Sequence, residues 1–254
     1  MKVTILGCGT SSGVPRIGND WGDCDPAEPR NRRTRVSILV EHEGTSILVD
    51  TGPDLREQLL AASVAQIDAV IWTHDHADHC HGIDDLRQLY HARSSPVPGY
   101  ARPQTLDTLL ARFGYVFEGK GDYPPVAQGL LLGDRLEIGG IQIAVVDQPH
   151  GSITAAGLRF DAGGCSIGYS TDCNRLTKDM IGLFKGIDLW IVDALRHRPH
   201  PSHPHLAQTL EWIEAIAPGR AILTHMDNSM DYRKLLGSLP AHVEPGHDGL
   251  EVFL

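Results

Sequence analysis

Short apolar runs separated by polar punctuation dominate the chain, and most are β-branched enough to read as strands. Residues 3–6 form the first. Residues 35–40 and 46–49 follow, joined through Glu41-His42-Glu43-Gly44, a hairpin composition. Residues 54–62 predict a helix with Leu55, Leu59 and Ala62 on its inner face. It leads into the apolar run Ile67-Asp68-Ala69-Val70-Ile71-Trp72. Ile83, Leu86, Leu89 and Tyr90 fall at helical spacing. Residues 96–99 break the chain, and Pro103 opens a helix that carries Leu106, Leu109, Leu110 and Phe113 on one face. Tyr115, Phe117, Gly119, Gly121, Tyr123, Pro124 and Pro125 then make an aromatic, Gly- and Pro-rich segment, either an overhang that selects substrate or a packed loop. Further strands are expected at 141–146, 165–169, 187–192 and 221–223. A helix with Leu206, Thr209, Leu210, Ile213 and Ile216 inward follows His205, and residues 251–254 are strand-like. Strands interleaved with helices over this length describe one α/β domain spanning residues 1–254.

The polar residues at the strand ends change the picture. Trp72 is followed by Thr73-His74-Asp75-His76-Ala77-Asp78-His79, which places three imidazoles and two carboxylates in six residues just past a buried strand. In an extended segment His74 and His76 share a side and can grip one cation. Asp78 and His79 follow within a turn and can serve a neighbouring ion. The same device recurs: one strand ends in Gln148-Pro149-His150, another in Ser170-Thr171-Asp172, a third in Thr224-His225. Asp50, at the end of the third strand, suits a carboxylate that orients a ligand imidazole from behind. The donors are nitrogen and oxygen, which suits Zn²⁺, Mn²⁺ or Fe²⁺. Cys80 and Cys173 neighbour better-placed ligands and are expected to pack as small apolar residues.

Composition narrows the function. A net charge of −10 argues against a stable nucleic-acid partner, since phosphate contacts need clustered Lys and Arg. The one basic concentration is Arg16, Arg30, Arg32, Arg33 and Arg35, read either as a solvated loop or as an anion clamp. Gly7-Cys8-Gly9-Thr10-Ser11-Ser12-Gly13-Val14-Pro15 is either an amide cradle for an anion or a plain turn, and it lacks the ending of a Walker loop. Ser11, Ser12 and Arg33 are the candidate substrate contacts. Five cysteines without framework spacing, no signal-like leader and no apolar run of membrane-spanning length lead to the expectation of a cytoplasmic protein without a membrane partner. Monomer and homodimer both remain open.

The His74 to His79 motif, with His150, Asp172, Thr224-His225 and the ending Asp248-Gly249-Leu250, resembles the metallo-β-lactamase superfamily. With the first loop and His205, it is similar to the branch that holds the phosphoribosyl cyclic-phosphate hydrolases. The resemblance implies a four-layer αββα sandwich of two mixed β-sheets with helices on the outer faces. It implies two divalent ions: His74, His76 and His150 on one, Asp78, His79 and His225 on the other, Asp172 bridging. It implies a phosphodiesterase of small, including cyclic, phosphodiesters that works through a metal-bridging hydroxide. Asp78 and His205 would be catalytic, His205 contacting the scissile phosphate or protonating the leaving oxygen. The other histidines of the Pro-rich tract 197–203 are expected to be mostly solvated.

Three rivals are weaker. A tRNA 3′-end nuclease would want a basic RNA-holding arm. A thioesterase of the glyoxalase type would carry more helices after the last ligand, where fewer than thirty residues remain. An accessory protein of quinone-cofactor biosynthesis would be expected to lose ligands. One departure stands out. The cyclic-phosphate hydrolases carry a structural zinc on three cysteines and a histidine, and here Asp23, Asp25, Glu28 and Asn228 take those places, with Cys24 between them. No structural zinc is expected, because one thiol among carboxylates is a poor tetrahedral set. Arg30, Arg32 and Arg33 are the expected partners of the carboxylates.

Overall fold

The computed structural model describes residues 1–254. Its strands are β1 (Lys2–Gly7), β2 (Ser37–His42), β3 (Thr45–Val49), β4 (Ala69–Trp72), β5 (Val97–Ala101), β6 (Ala127–Leu131) and β7 (Arg135–Ile138). Then come β8 (Ile141–His150), β9 (Ile153–Ala162), β10 (Cys165–Ser170), β11 (Leu189–Asp193), β12 (Arg220–Thr224), β13 (Val243–Pro245) and β14 (Leu250–Phe253). They form two seven-stranded sheets, ordered β14-β1-β2-β3-β4-β5-β6 and β13-β12-β11-β10-β9-β8-β7. Each sheet is antiparallel at one end and parallel at the other. The run β3-β4-β5-β6 is parallel in the first, and β10-β11-β12-β13 in the second.

Alternation along the strands sorts the residues into layers. In the first sheet Val3, Ile5, Ile38, Val40, Ile47, Val49 and Ile71 point into the core between the sheets, where they meet Ile143, Leu158, Phe160 and Ile167 of the second. Their neighbours Leu6, Leu39, Leu48, Val70 and Trp72 point outward, under the helices α1 (Leu55–Ala61), α3 (Leu86–Arg93) and α4 (Pro103–Glu118). Helices α5 (Lys178–Phe184) and α6 (Leu206–Ile216) cover the second sheet through Met180, Phe184, Ile213 and Ile216. The architecture is the αββα sandwich of two mixed sheets. No helix is long and apolar enough to cross a membrane.

Two expectations are corrected. Residues 96–99 do not break the chain, because Val97–Ala101 is an interior strand, β5, paired with β4 and β6. Gly99 looks like a breaker but is there for space: a Cβ would collide with the Trp72 indole across the pair. Tyr115 and Phe117 belong to α4, which runs to Glu118, so only the turn after it remains of the expected loop.

The connection from β13 to β14 is locked to the first loop and to the segment before β2 by one carboxylate. Asp248 Oδ1 accepts the Cys8 amide at 3.1 Å, and Oδ2 accepts the Thr34 amide and hydroxyl, both at 2.7 Å. We expect Asp248→Ala to cost about 1–3 kcal/mol for each amide left unpaired. The readout is a lower urea midpoint at unchanged slope. An unchanged midpoint would mean that water replaces the carboxylate.

Candidate metal centre

Every site residue leaves the same rim of the sandwich. Asp50 follows β3, His74 and His76 follow β4, Asp172 follows β10 and His225 follows β12, all at the C-terminal ends of parallel strands, while His150 closes β8. The short helix α2 (Ala77–Cys80) carries Asp78 and His79. Its approach needs two glycines: a Cβ on Gly52 would strike the Asp78 carbonyl, and one on Gly82 the Gly52 carbonyl. Asp50, Asp172 and His225 all adopt positive φ, at 65°, 54° and 57°. Non-glycine residues hold that conformation only where the surroundings over-determine it, and such strain gathers at functional sites.

Three groups of donor atoms result. His74, His76, His150 and Asp172 make one and Asp78, His79 and His225 another; Asp172, His203 and His225 make a third that joins the first two, with ligand atoms inside each group no more than 4.8 Å apart. Asp172, 1% exposed, lies between the first two. Its Oδ1 is 3.8 Å from His74 Nε2, 3.6 Å from His150 Nε2 and 3.5 Å from His225 Nε2. Its Oδ2 is 3.1 Å from His79 Nε2. Asp78 Oδ2 stands 3.4 Å from His79 Nε2 and 3.5 Å from His225 Nε2.

The chemistry of these donors fits cations. His79 Nδ1 donates to Asp50 Oδ2 at 2.7 Å, His74 Nδ1 to Thr73 Oγ1 at 3.1 Å, and His150 Nδ1 to the Ser202 carbonyl at 2.9 Å. Each imidazole is thereby held in the tautomer whose Nε2 lone pair faces the centre. The Nε2 atoms of His74, His79 and His225 are buried without a hydrogen-bond partner. His150 Nε2 lies only 3.3 Å from His76 Nδ1. Stranding that many buried acceptors is costly unless a cation takes their lone pairs. Asp50 is itself oriented by the Thr73 amide, 2.8 Å, and hydroxyl.

The cluster's charges respond accordingly. Burial opposes a charged His79, but the Asp172, Asp78 and Asp50 carboxylates outweigh it and lift its pKa well above the ordinary value, so a cation taking the Nε2 lone pair would displace a proton. Burial, with the neighbouring imidazoles, lowers His74. Burial also works against the Asp172 carboxylate, yet His225, His79 and His74 hold it well below the usual range. Cys80 donates to the His76 carbonyl at 3.1 Å, burial pushes its thiol up to about 12, and its sulfur belongs to none of the donor groups.

The histidine beside the cluster is His203, where the sequence suggested His205. His205 is the residue before α6, its ring makes no capping bond, and its backbone pairs with Arg196. The His203 ring stacks on His225 with centroids 4.6 Å apart, its Nε2 is 3.8 Å from Asp172 Oδ1, and its Nδ1 donates to Asp193 Oδ2 at 2.8 Å. Asp193, fully buried, also accepts the Asp172 amide. The available signal for this pair was another strand, β11, ending in a carboxylate.

Ser11 and Ser12 lie exposed in a turn anchored beside His225, since the Thr10 amide donates to the Met226 carbonyl at 3.1 Å. Arg33 is not a substrate contact. It is 2% exposed and donates to the carbonyls of Met230, at 2.6 Å, and Asp227, at 3.3 Å, with Cys24 Sγ 3.9 Å away. A buried guanidinium thus staples the loop of Cys24 to the segment after His225. In that loop Glu28 pairs with Arg30 and Arg233, Asp231 accepts from Asn31 and the Asp25 amide, and Asn228 donates to Asp20. Arg32 instead lies over the Trp21 ring.

The family described as Beta-lactamase superfamily domain matches residues 45–226. The chain belongs to that superfamily. It is a metal-binding hydrolase of the metallo-β-lactamase fold. The crystal structure of a new diphosphatase from the PhnP family superposes with a TM-score of 0.91 at 34% identity, covering 99% of this chain and 96% of that one. An octanoyltransferase of Porphyromonas gingivalis is 31% identical across 100% of this chain, which spans only 52% of that relative's length. Coenzyme PQQ synthesis protein B of Methylorubrum populi is 26% identical over 76% of this chain and 73% of its own.

Proposed function

We propose that the protein is a binuclear phosphodiesterase that hydrolyses small phosphodiesters, cyclic ones among them, with Mn²⁺ or Zn²⁺ in the first two donor groups. The observation that carries this reading is His203, held by a buried carboxylate beside the cation ligands. The 34% identical diphosphatase supports phosphoryl chemistry. Divalent ions held by these residues supply Lewis acidity to a phosphoryl oxygen and acidify a water. Asp172, shared between the donor groups, fixes their separation, and Asp50 fixes the His79 ring. Asp193 accepts a hydrogen bond from His203 Nδ1 and so orients the ring, with Nε2 placed to deliver a proton to the leaving oxygen.

The octanoyltransferase relative favours one competing reading, acyl transfer or thioester hydrolysis. A single panel decides between them: cyclic nucleotides, ribose cyclic phosphates, simple diesters, phosphomonoesters, a β-lactam and octanoyl thioesters, each with Mn²⁺ and with Zn²⁺. Diesters should be turned over fastest. A thioester hydrolysed faster than every diester would overturn the assignment.

A further inference from the structure

Away from the metal centre, a cleft of about 310 Å³ is lined by Arg87, Tyr115, Lys120, Tyr123, Pro124 and Val126. That volume falls within the range of ligand pockets, about 300–1,000 Å³. Its walls are α3, the end of α4 and the turn that follows. The turn is a defined one: the Lys120 amide donates to the Tyr123 carbonyl at 2.9 Å, and the Tyr123 amide returns to Lys120 at 3.1 Å. Helix α4 bends at Phe113, where φ is −124° and ψ 33°, and there its ring packs against His81 with centroids 5.7 Å apart. Arg112, one residue earlier, donates to the Asp75 carbonyl at 2.6 Å. The helix that carries one wall of the cleft is thus bolted to the loop of metal ligands.

The lining is unusual for this chain. Tyr115 and Tyr123 expose 43% and 68% of their surface, although large rings normally hide theirs. Two cations flank them in a protein of net charge −10. The Arg87 guanidinium lies 5.7 Å from the Tyr123 centroid and 3.2 Å from Asp84, so it is held in place over the ring. Lys120 is exposed at the mouth. The Tyr115 ring and the face of Tyr123 away from Arg87 accept a stacked planar ring, and its anionic group meets Lys120 and the guanidinium N–H groups that Asp84 leaves free.

We propose that this cleft binds a planar aromatic anion of nucleotide size. The proposal is independent of the reaction at the metal centre. The probe is adenosine monophosphate, titrated calorimetrically into the metal-loaded protein, with adenosine and ribose 5-phosphate supplying the ring and the anion separately. Adenosine monophosphate should bind, and each half should bind at least about ten-fold more weakly. Tyr123→Ala and Lys120→Ala should each weaken it by about ten-fold, and Tyr123→Phe should retain it. Hydrolysis of a simple diester should stay at the wild-type rate in all three. Absence of binding at millimolar concentration overturns the proposal. So does a Kd that neither alanine variant changes, which would put the probe at the metal centre. Ribose 5-phosphate binding as tightly as the nucleotide would remove the role of the rings and overturn it as well.

Discussion

His203→Ala should lose roughly 10²–10⁴-fold in turnover of a phosphodiester while keeping the metal content of the wild type. The reason lies in how the ring is held. Its Nδ1 is committed to Asp193 at 2.8 Å, and the Nε2 that remains faces the cluster. Loss of a proton donor lowers the rate of the step that needs the proton, and the loss should be smallest for substrates whose leaving group needs no protonation. A nitrophenyl diester should therefore suffer less than an alkyl one. His205→Ala should stay near the wild-type rate, since its ring has no bond to the cluster. Because His203 also lies within ligand distance of Asp172 and His225, metal analysis of the variant matters. A His203→Ala protein that has lost a cation would make His203 a ligand, and a large loss in His205→Ala would restore the role that the sequence suggested.

Asp172→Asn should abolish activity to background and leave the protein short of metal. The substitution keeps the shape and removes a charge that four of the converging imidazoles share, at 3.1–3.8 Å from His79, His225, His150 and His74. A catalytic cation supplies several kcal/mol to a phosphoryl transition state. Losing that amounts to about 10³-fold or more. Elemental analysis alongside diester assays checks both halves. Full metal content with more than a tenth of the activity would show that Asp172 does not hold the centre together.

The architecture was legible in the sequence wherever pattern and chemistry coincide locally. His74, His76, Asp78 and His79 follow one apolar strand without interruption. His150, Asp172 and His225 each stand at a strand end, and strand ends of a parallel sheet share a rim. What stayed hidden depends on backbone geometry. The choice between His203 and His205 is made by loop closure: the Leu195 amide donates to the Pro204 carbonyl and the Leu206 amide to that of Arg196. Those two bonds turn His203 inward. No side-chain period encodes them. Arg33 looked like a free cation because its acceptors are carbonyls 194 and 197 positions away in the chain. Strand β5 was masked by Pro98 and Gly99, residues that usually end strands. The pairing of Gly99 with Val70 across from Trp72 makes glycine a steric requirement there. Tyr123 stands in an aromatic segment visible in the sequence, but the fold alone brings Arg87, 36 positions earlier, over its ring.

The central claim is that the donor groups around Asp172 hold two cations that serve one reaction. Metal stoichiometry of the replete wild-type protein, by elemental analysis against quantified chain, tests it most directly. Two divalent ions per chain are expected, with diesterase activity rising to its maximum only as the second is bound. One ion per chain at full activity, or none, would contradict it.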